Sequence, residues 1–152
     1  MAYRKNSTAE SEALATLLAA LRALYLLHQA HHWQSRGPSF YGDHLLFQRL
    51  YEAVLPEMDS VAERAVGKGQ GRLVSAADVT RATQKLLTRW QADVETPDAL
   101  VESSLDAEGD VLGLIDDLMG QVAFSNGVQN LLQGIADKHE EHVYLLQRRL
   151  GE

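Results

Sequence analysis

The chain has 152 residues, 45% hydrophobic and 23% charged, with no cysteine and a formal net charge of −7. That length is enough to bury a sizeable core in one domain. The missing cysteine excludes disulfide scaffolds, thiolate metal sites and cysteine nucleophiles and fits a reducing cytoplasm, while the acidic balance opposes general attraction to nucleic acid or anionic membranes and favours cations.

Residues 1–6 read as a flexible polar tail without the apolar core of a signal peptide. A first helix is expected from Ser7, which has capping-box spacing with Glu10 and Ser11 as a rival start, to about Ser35. Leu14, Leu17, Leu18, Leu21, Leu24, Tyr25 and His28 recur along it at helical spacing. Arg22 and His28 interrupt its apolar run, which argues against a membrane span. Gly37-Pro38 signals a stop and turn. A second helix is predicted from about Ser39 to Val66, with Phe40, Phe47, Leu50, Val54, Met58 and Val61 on its apolar face and Gly67, Gly69 and Gly71 closing it. Pro56 removes a backbone hydrogen bond there and predicts a kink three residues before Asp59.

Residues 75–90 predict a shorter helix capped by Ser75 and carrying Val79, Leu86, Leu87 and Trp90. Thr96-Pro97-Asp98 opens a fourth helix with a cap, a proline in the first turn and an early acid. It carries Leu100, Val111, Leu114, Ile115, Leu118 and Val122, is weakened at Gly109 and Gly113, and is expected to end near Ser125-Asn126-Gly127. The last helix spans about Val128 to Leu150 with Leu131, Leu132, Ile135, His139, His142, Leu145 and Leu146, and Arg148 and Arg149 complement its C-terminal dipole. No stretch alternates like a strand and no repeat is visible. The fold expected is all-α, a four-helix bundle over 7–152 with a short extra helix between the second and third long ones.

His32, His44, Asp59 and Glu63 are metal-ligand types, and two imidazoles with two carboxylates suit Fe(II), Mn(II) or Zn(II). A hairpin at Gly37-Pro38 brings the two histidines to similar heights. Asp59 and Glu63 share one helical face. Yet His44 and Asp59 lie fifteen positions apart on one helix, about 22 Å at 1.5 Å per residue. Metal–ligand bonds are about 2 to 2.5 Å long, so the two halves cannot meet on one ion within one chain. They meet when two copies pair antiparallel across a two-fold axis. The Glu-x-x-His motifs of intrachain di-iron bundles are absent, and His139-Glu140-Glu141-His142 lacks the i, i+4 spacing of a metalloprotease. His28 reads as a core or surface histidine, with metal sharing with His32 as the alternative. His31 is expected on an adjacent face, and His139 and His142 read as structural.

The segment from His32 to Arg64 resembles the signature of the Dps family, the mini-ferritins called DNA-binding proteins from starved cells. His32-Trp33, Gly37-Pro38, Phe40, His44, Phe47, Tyr51, Asp59 and Ala62-Glu63-Arg64 stand at the family's spacing, and the closing LLQGIADKHEEHVYLLQRRL looks like a family feature. The resemblance implies a ferritin-like bundle and a homo-oligomeric shell of twelve subunits. It implies di-iron ferroxidase sites at the two-fold interfaces, with His32 and His44 from one subunit and Asp59 and Glu63 from its neighbour. It further implies Fe(II) oxidation, preferably by hydrogen peroxide, and a ferric mineral inside the shell of a cytoplasmic protein. Trp33 would lie beside the site, either accepting stray oxidising equivalents or simply packing.

Two features depart from the family. Asn126 and Asn130 stand where members often carry pore-lining acids, with Asp116 and Asp117 nearby, so iron entry by that route is expected to be weaker. Pro56 is the other. The tail offers only Arg4 and Lys5 before acidic residues begin, so DNA binding is expected to be weak or absent. Two alternatives remain open, a shell that binds zinc in the same pocket without turnover and a DNA-compacting structural protein.

Overall fold

The computed structural model describes residues 7–69, 71–91 and 96–152, so the expected tail at 1–6 lies outside the described residues. Helices α1 (Ser7–Gln34), α2 (Phe40–Gly67), α3 (Ala76–Trp90), α4 (Pro97–Gln121) and α5 (Asn126–Leu150) follow one another, with a 3-10 turn at Gly71–Val74. No strand occurs among the described residues. The chain is all-α, with four long helices and a short α3 after the second.

Sequence chemistry explains the boundaries. Gly37 takes φ +80°, a left-handed conformation, and its carbonyl accepts the Phe40 N–H at 3.0 Å, which turns the chain from α1 into α2. The Ser75 and Thr96 side chains accept the N–H groups of Asp78 and Ala99, capping α3 and α4 as expected. α1 is the central element and packs on α2, α3 and α4. It is long and apolar enough by composition to cross a membrane over Thr8–Gln34, yet 61% of that window is buried inside the bundle. Leu14, Leu17, Leu21 and Leu24 are fully enclosed there. The main core joins them to Val54, Val61, Val111, Ile115, Val128 and Leu132, and a smaller cluster of Phe47, Leu50, Leu100, Val101 and Leu146 lies beside it.

Three expectations change. α4 stops at Gln121, and Val122 is its extended C-cap rather than a member of its apolar face. Ser125-Asn126-Gly127 therefore starts α5 instead of ending α4. The reason is tertiary: Phe124 is buried in the core, and the Ser125 N–H donates to Glu10 Oε1 at 2.6 Å. A carboxylate from α1 thus serves the N-terminus of α5 and also pairs with Lys68, a task different from the capping box read for Glu10. Phe40 is 44% exposed, not a core residue, and its ring lies 5.1 Å from that of His44. α2 runs unbroken through the exposed Pro56.

One ion pair ties three helix ends together. Arg149, near the end of α5, donates to both oxygens of buried Asp43 (2.5 and 3.0 Å), to Ser39 Oγ and to Asp98 at the start of α4. Bidentate geometry and burial of the carboxylate make this pair stronger than a surface bridge. Asp43→Ala is expected to lower stability by about 2–3 kcal/mol, and Asp98→Ala by under about 1 kcal/mol because Asp98 is exposed. Urea denaturation at pH 7 checks the ranking, and equal costs would contradict it.

Candidate metal centre

The α1–α2 turn brings His32 and His44 together. Their rings stack with centroids 3.7 Å apart, and Tyr51 meets the His32 ring edge-on at 5.5 Å. His32 Nδ1–H donates to the His44 carbonyl at 2.7 Å, and His44 Nδ1–H donates to the His32 carbonyl at 3.0 Å. A carbonyl only accepts, so this reciprocal pair of bonds sets both tautomers and turns a lone pair outward on each Nε2. Both rings are half-buried. Nitrogen ligands whose other ring nitrogen is held by a backbone carbonyl are the usual arrangement at metal sites.

Asp59 and Glu63 stand far from this pair. Both are exposed on α2, one turn apart. Because α2 is continuous, His44 and Asp59 are separated by about 22 Å of helix. Asp59 rims a cleft of about 300 Å³ lined by Leu18, Arg22, Met58, Ala62 and Val79. Trp33 is 69% exposed next to His32 in the chain. Asn126 and Asn130 are exposed in the first two turns of α5, and Asp116 and Asp117 are exposed on α4. The two candidate histidines thus stand at one place and the two candidate carboxylates at another.

The interior holds a cluster that the sequence reading did not assemble. Glu108 on α4 is fully buried. Its Oε1 accepts from His28 Nε2 at 2.8 Å and His142 Nδ1 at 3.0 Å, and its Oε2 accepts from His139 Nδ1 at 2.5 Å. His139 Nε2 donates to Glu57 Oε2 at 2.9 Å. With both nitrogens donating to carboxylates, His139 is an imidazolium. Burial opposes that charge, but Glu108 and Glu57 outweigh it and push the His139 pKa up to about 10. Burial likewise opposes the Glu108 charge, and the His139 cation and the imidazole N–H bonds outweigh it, holding Glu108 well below the usual carboxylate range. His31 Nδ1–H donates to Ser104 Oγ at 2.8 Å, and the Ser104 hydroxyl donates to His28 Nδ1 at 3.1 Å. Burial keeps both these rings neutral, with His31 lowered to about 3. His28 and His32 thus belong to different clusters, and His31, expected on an adjacent face, is buried against Ser104. His142 Nε2 is buried without a hydrogen-bond partner, at a cost of about 1–3 kcal/mol. A register signal was available: Glu108 stands in line with Val101, Ser104, Val111 and Ile115, all buried on α4. A charged residue in a core register calls for buried partners.

The chain matches the family model described as ferritin-like domain over residues 11–152. It is 30% identical over 145 residues to the "Nutrient stress-induced DNA-binding protein" of Nostoc sp., covering 93% of this chain and 77% of that protein. It is 26% identical over 125 residues to the "DNA protection during starvation protein" of Brevibacillus brevis, covering 82% of this chain and 83% of that one. Among solved structures, the tetragonal form of Mycobacterium smegmatis Dps superposes with a TM-score of 0.86 at 20% identity, over 97% of this chain and 88% of that chain.

The buried cluster makes stability depend on pH in both directions. His139 keeps its proton in the fold up to about 10 but loses it near 6.5 when unfolded, so its contribution is complete below about 6.5 and drains as pH rises toward 10. His31 stays neutral in the fold down to about 3 but takes a proton near 6.5 when unfolded, so stability also falls as pH drops from 6.5 toward 3. The thermal midpoint of chelator-treated protein is therefore expected to peak at about pH 6–7. Glu108→Gln should flatten the alkaline slope, with Glu57 still beside His139, and cost about 3 kcal/mol by leaving His139 with a weaker partner. Calorimetry from pH 5 to 9.5 checks this, and a flat alkaline limb in the unaltered protein would contradict it.

Proposed function

The chain belongs to the ferritin-like family, in its Dps branch, and from that premise we propose a mini-ferritin that oxidises Fe(II) at sites shared between two subunits and stores the ferric product in a hollow homo-oligomeric shell. The observation that carries the reading is the split of the ligand set along α2. His32 and His44 present bare Nε2 atoms at one end, and Asp59 and Glu63 stand about 22 and 28 Å from His44 along the same continuous helix. An antiparallel two-fold pairing of α2 with its copy closes that distance twice, making two equivalent sites. The surface of α2 supports such pairing. Tyr41, Leu45, Leu55 and Val66 are exposed, and they fall with Asp59 on one alternating three- and four-residue stripe, the register along which helices pack.

In each shared site the two imidazoles supply neutral nitrogen ligands and the partner copy's carboxylates supply negative charge, a donor set matched to Fe(II) as substrate. Two Fe(II) ions each give up one electron to one hydrogen peroxide molecule, which with two protons becomes two waters. In this reading Glu63 reaches the second iron, and Trp33, exposed and next to His32 in the chain, takes up a stray oxidising equivalent. Consuming Fe(II) and peroxide together removes both reactants of radical-forming chemistry. A twelve-subunit shell in the cytoplasm is the assembly we assign, with the exposed amides Asn126 and Asn130 making a pore that attracts cations weakly.

Asp59→Ala/Glu63→Ala, loaded with Fe(II) without oxygen and then pulsed with peroxide, is expected to form ferric absorbance at least about 100-fold more slowly than the unaltered protein. Size-exclusion chromatography must show both assembled. A mixing experiment tests the sharing itself. His32→Ala and Asp59→Ala chains, each inactive alone, should regain about a quarter of the sites when dissociated and co-assembled, because half the pairs are mixed and each mixed pair has one intact site. No recovery in mixed shells would place the site within one chain. The Nostoc relative is called a DNA-binding protein, but here a net charge of −7 and a tail with only Arg4 and Lys5 predict no electrophoretic shift of duplex DNA at about 150 mM salt.

A further inference from the structure

Glu108, His139 and His142 have no part in the shared site, yet each offers a ligand atom within 4.8 Å of the others, and all three side chains are buried. We propose that they form a second, intrachain metal site that holds one borderline divalent cation, with Zn(II) as its reference ion, between α4 and α5. Two imidazoles and a carboxylate are a donor set for Zn(II) and its first-row neighbours. Bonds of about 2.1 Å put tetrahedral ligand atoms about 3.4 Å apart, and the His139 and His142 Nδ1 atoms already lie 2.5 and 3.0 Å from Glu108 oxygens, so small shifts of the side chains would admit the ion.

The surroundings are those of a supported site rather than a chance meeting. Glu57 Oε2 accepts from His139 Nε2, the carboxylate–histidine arrangement that orients a ligating ring. On the other side His28 Nε2 holds Glu108 Oε1, and Ser104 with His31 fixes the orientation of His28. His142 faces Glu108 with Nδ1, the ring nitrogen placed to ligate, and its Nε2 is enclosed with no hydrogen-bond partner, so no second bond holds the ring against a small shift. Two carboxylates, Glu57 and Glu108, meet around one histidine, which favours a doubly charged ion over the single charge an imidazolium supplies. The set is rich in nitrogen and its one fully buried carboxylate already serves three donors, so it suits one ion rather than a pair. The cation would pin α4 to α5 and, through Glu57, to α2.

The test uses the whole chain produced in zinc-supplemented medium and equilibrated with Zn(II). Crystals measured on both sides of the zinc absorption edge are expected to show an anomalous peak bonded to Glu108, His139 and His142. In the Asp59→Ala/Glu63→Ala background, where the shared site is disabled, about one Co(II) per chain should bind with intense tetrahedral visible bands. Adding His142→Leu should weaken that binding at least about 100-fold, and Glu57→Gln, acting through His139, about 10- to 100-fold. Should His142→Leu fail to fold, the anomalous map of the unaltered protein decides alone. Zinc found only at the surface or at the shared site, with no density between α4 and α5, would overturn the proposal and leave the cluster as a buried ionic hub.

Discussion

The continuity of α2 is the constraint on which the proposed functional organisation rests. An α-helix has a fixed rise, and this one runs unbroken from Phe40 to Gly67. Residues fifteen apart on it cannot approach one another, whatever their rotamers. His44 and Asp59 are held apart by the same hydrogen bonds that make the helix. The proposed pairing with a copy would join them, and covering exposed Tyr41, Leu45, Leu55 and Val66 of α2 in it would gain hydrophobic free energy.

A second constraint acts inside the bundle. α1 is nearly all apolar on its buried sides, but it also carries His28 and His31 into the core. A buried polar group without a partner is expensive, so each such ring requires another polar group opposite. Ser104 and Glu108 on α4, His139 and His142 on α5 and Glu57 on α2 answer that need in one connected network. Glu57 and Asp59 illustrate how finely the helix sorts its roles. Two residues apart means about 200° around the axis, so one carboxylate turns inward to His139 and the other turns out to solvent.

The helices were largely legible because their signals are local. Ser75 and Thr96 cap as their side chains dictate, and Gly37 turns the chain because it alone tolerates φ +80°. The error at α4 and α5 shows where local signals end. Ser-Asn-Gly marks a boundary equally well as a stop or a start, and a carboxylate on α1, distant in sequence, decided between them. Phe40 failed for a related reason, since helical periodicity does not say where the core ends, and in the first turn of α2 this ring is 44% exposed.

The sequence by itself determined the all-helical class, the stops and caps, the ligand types and the separation of His44 from Asp59, because periodicity, capping chemistry and helical rise are properties of neighbours along the chain. Tertiary structure alone decided that His32 and His44 lock each other's tautomers across the turn. It alone decided that Glu108 gathers three histidines from two other helices. Those contacts join residues between 12 and 80 positions apart, and which faces of which helices meet depends on how the whole core packs.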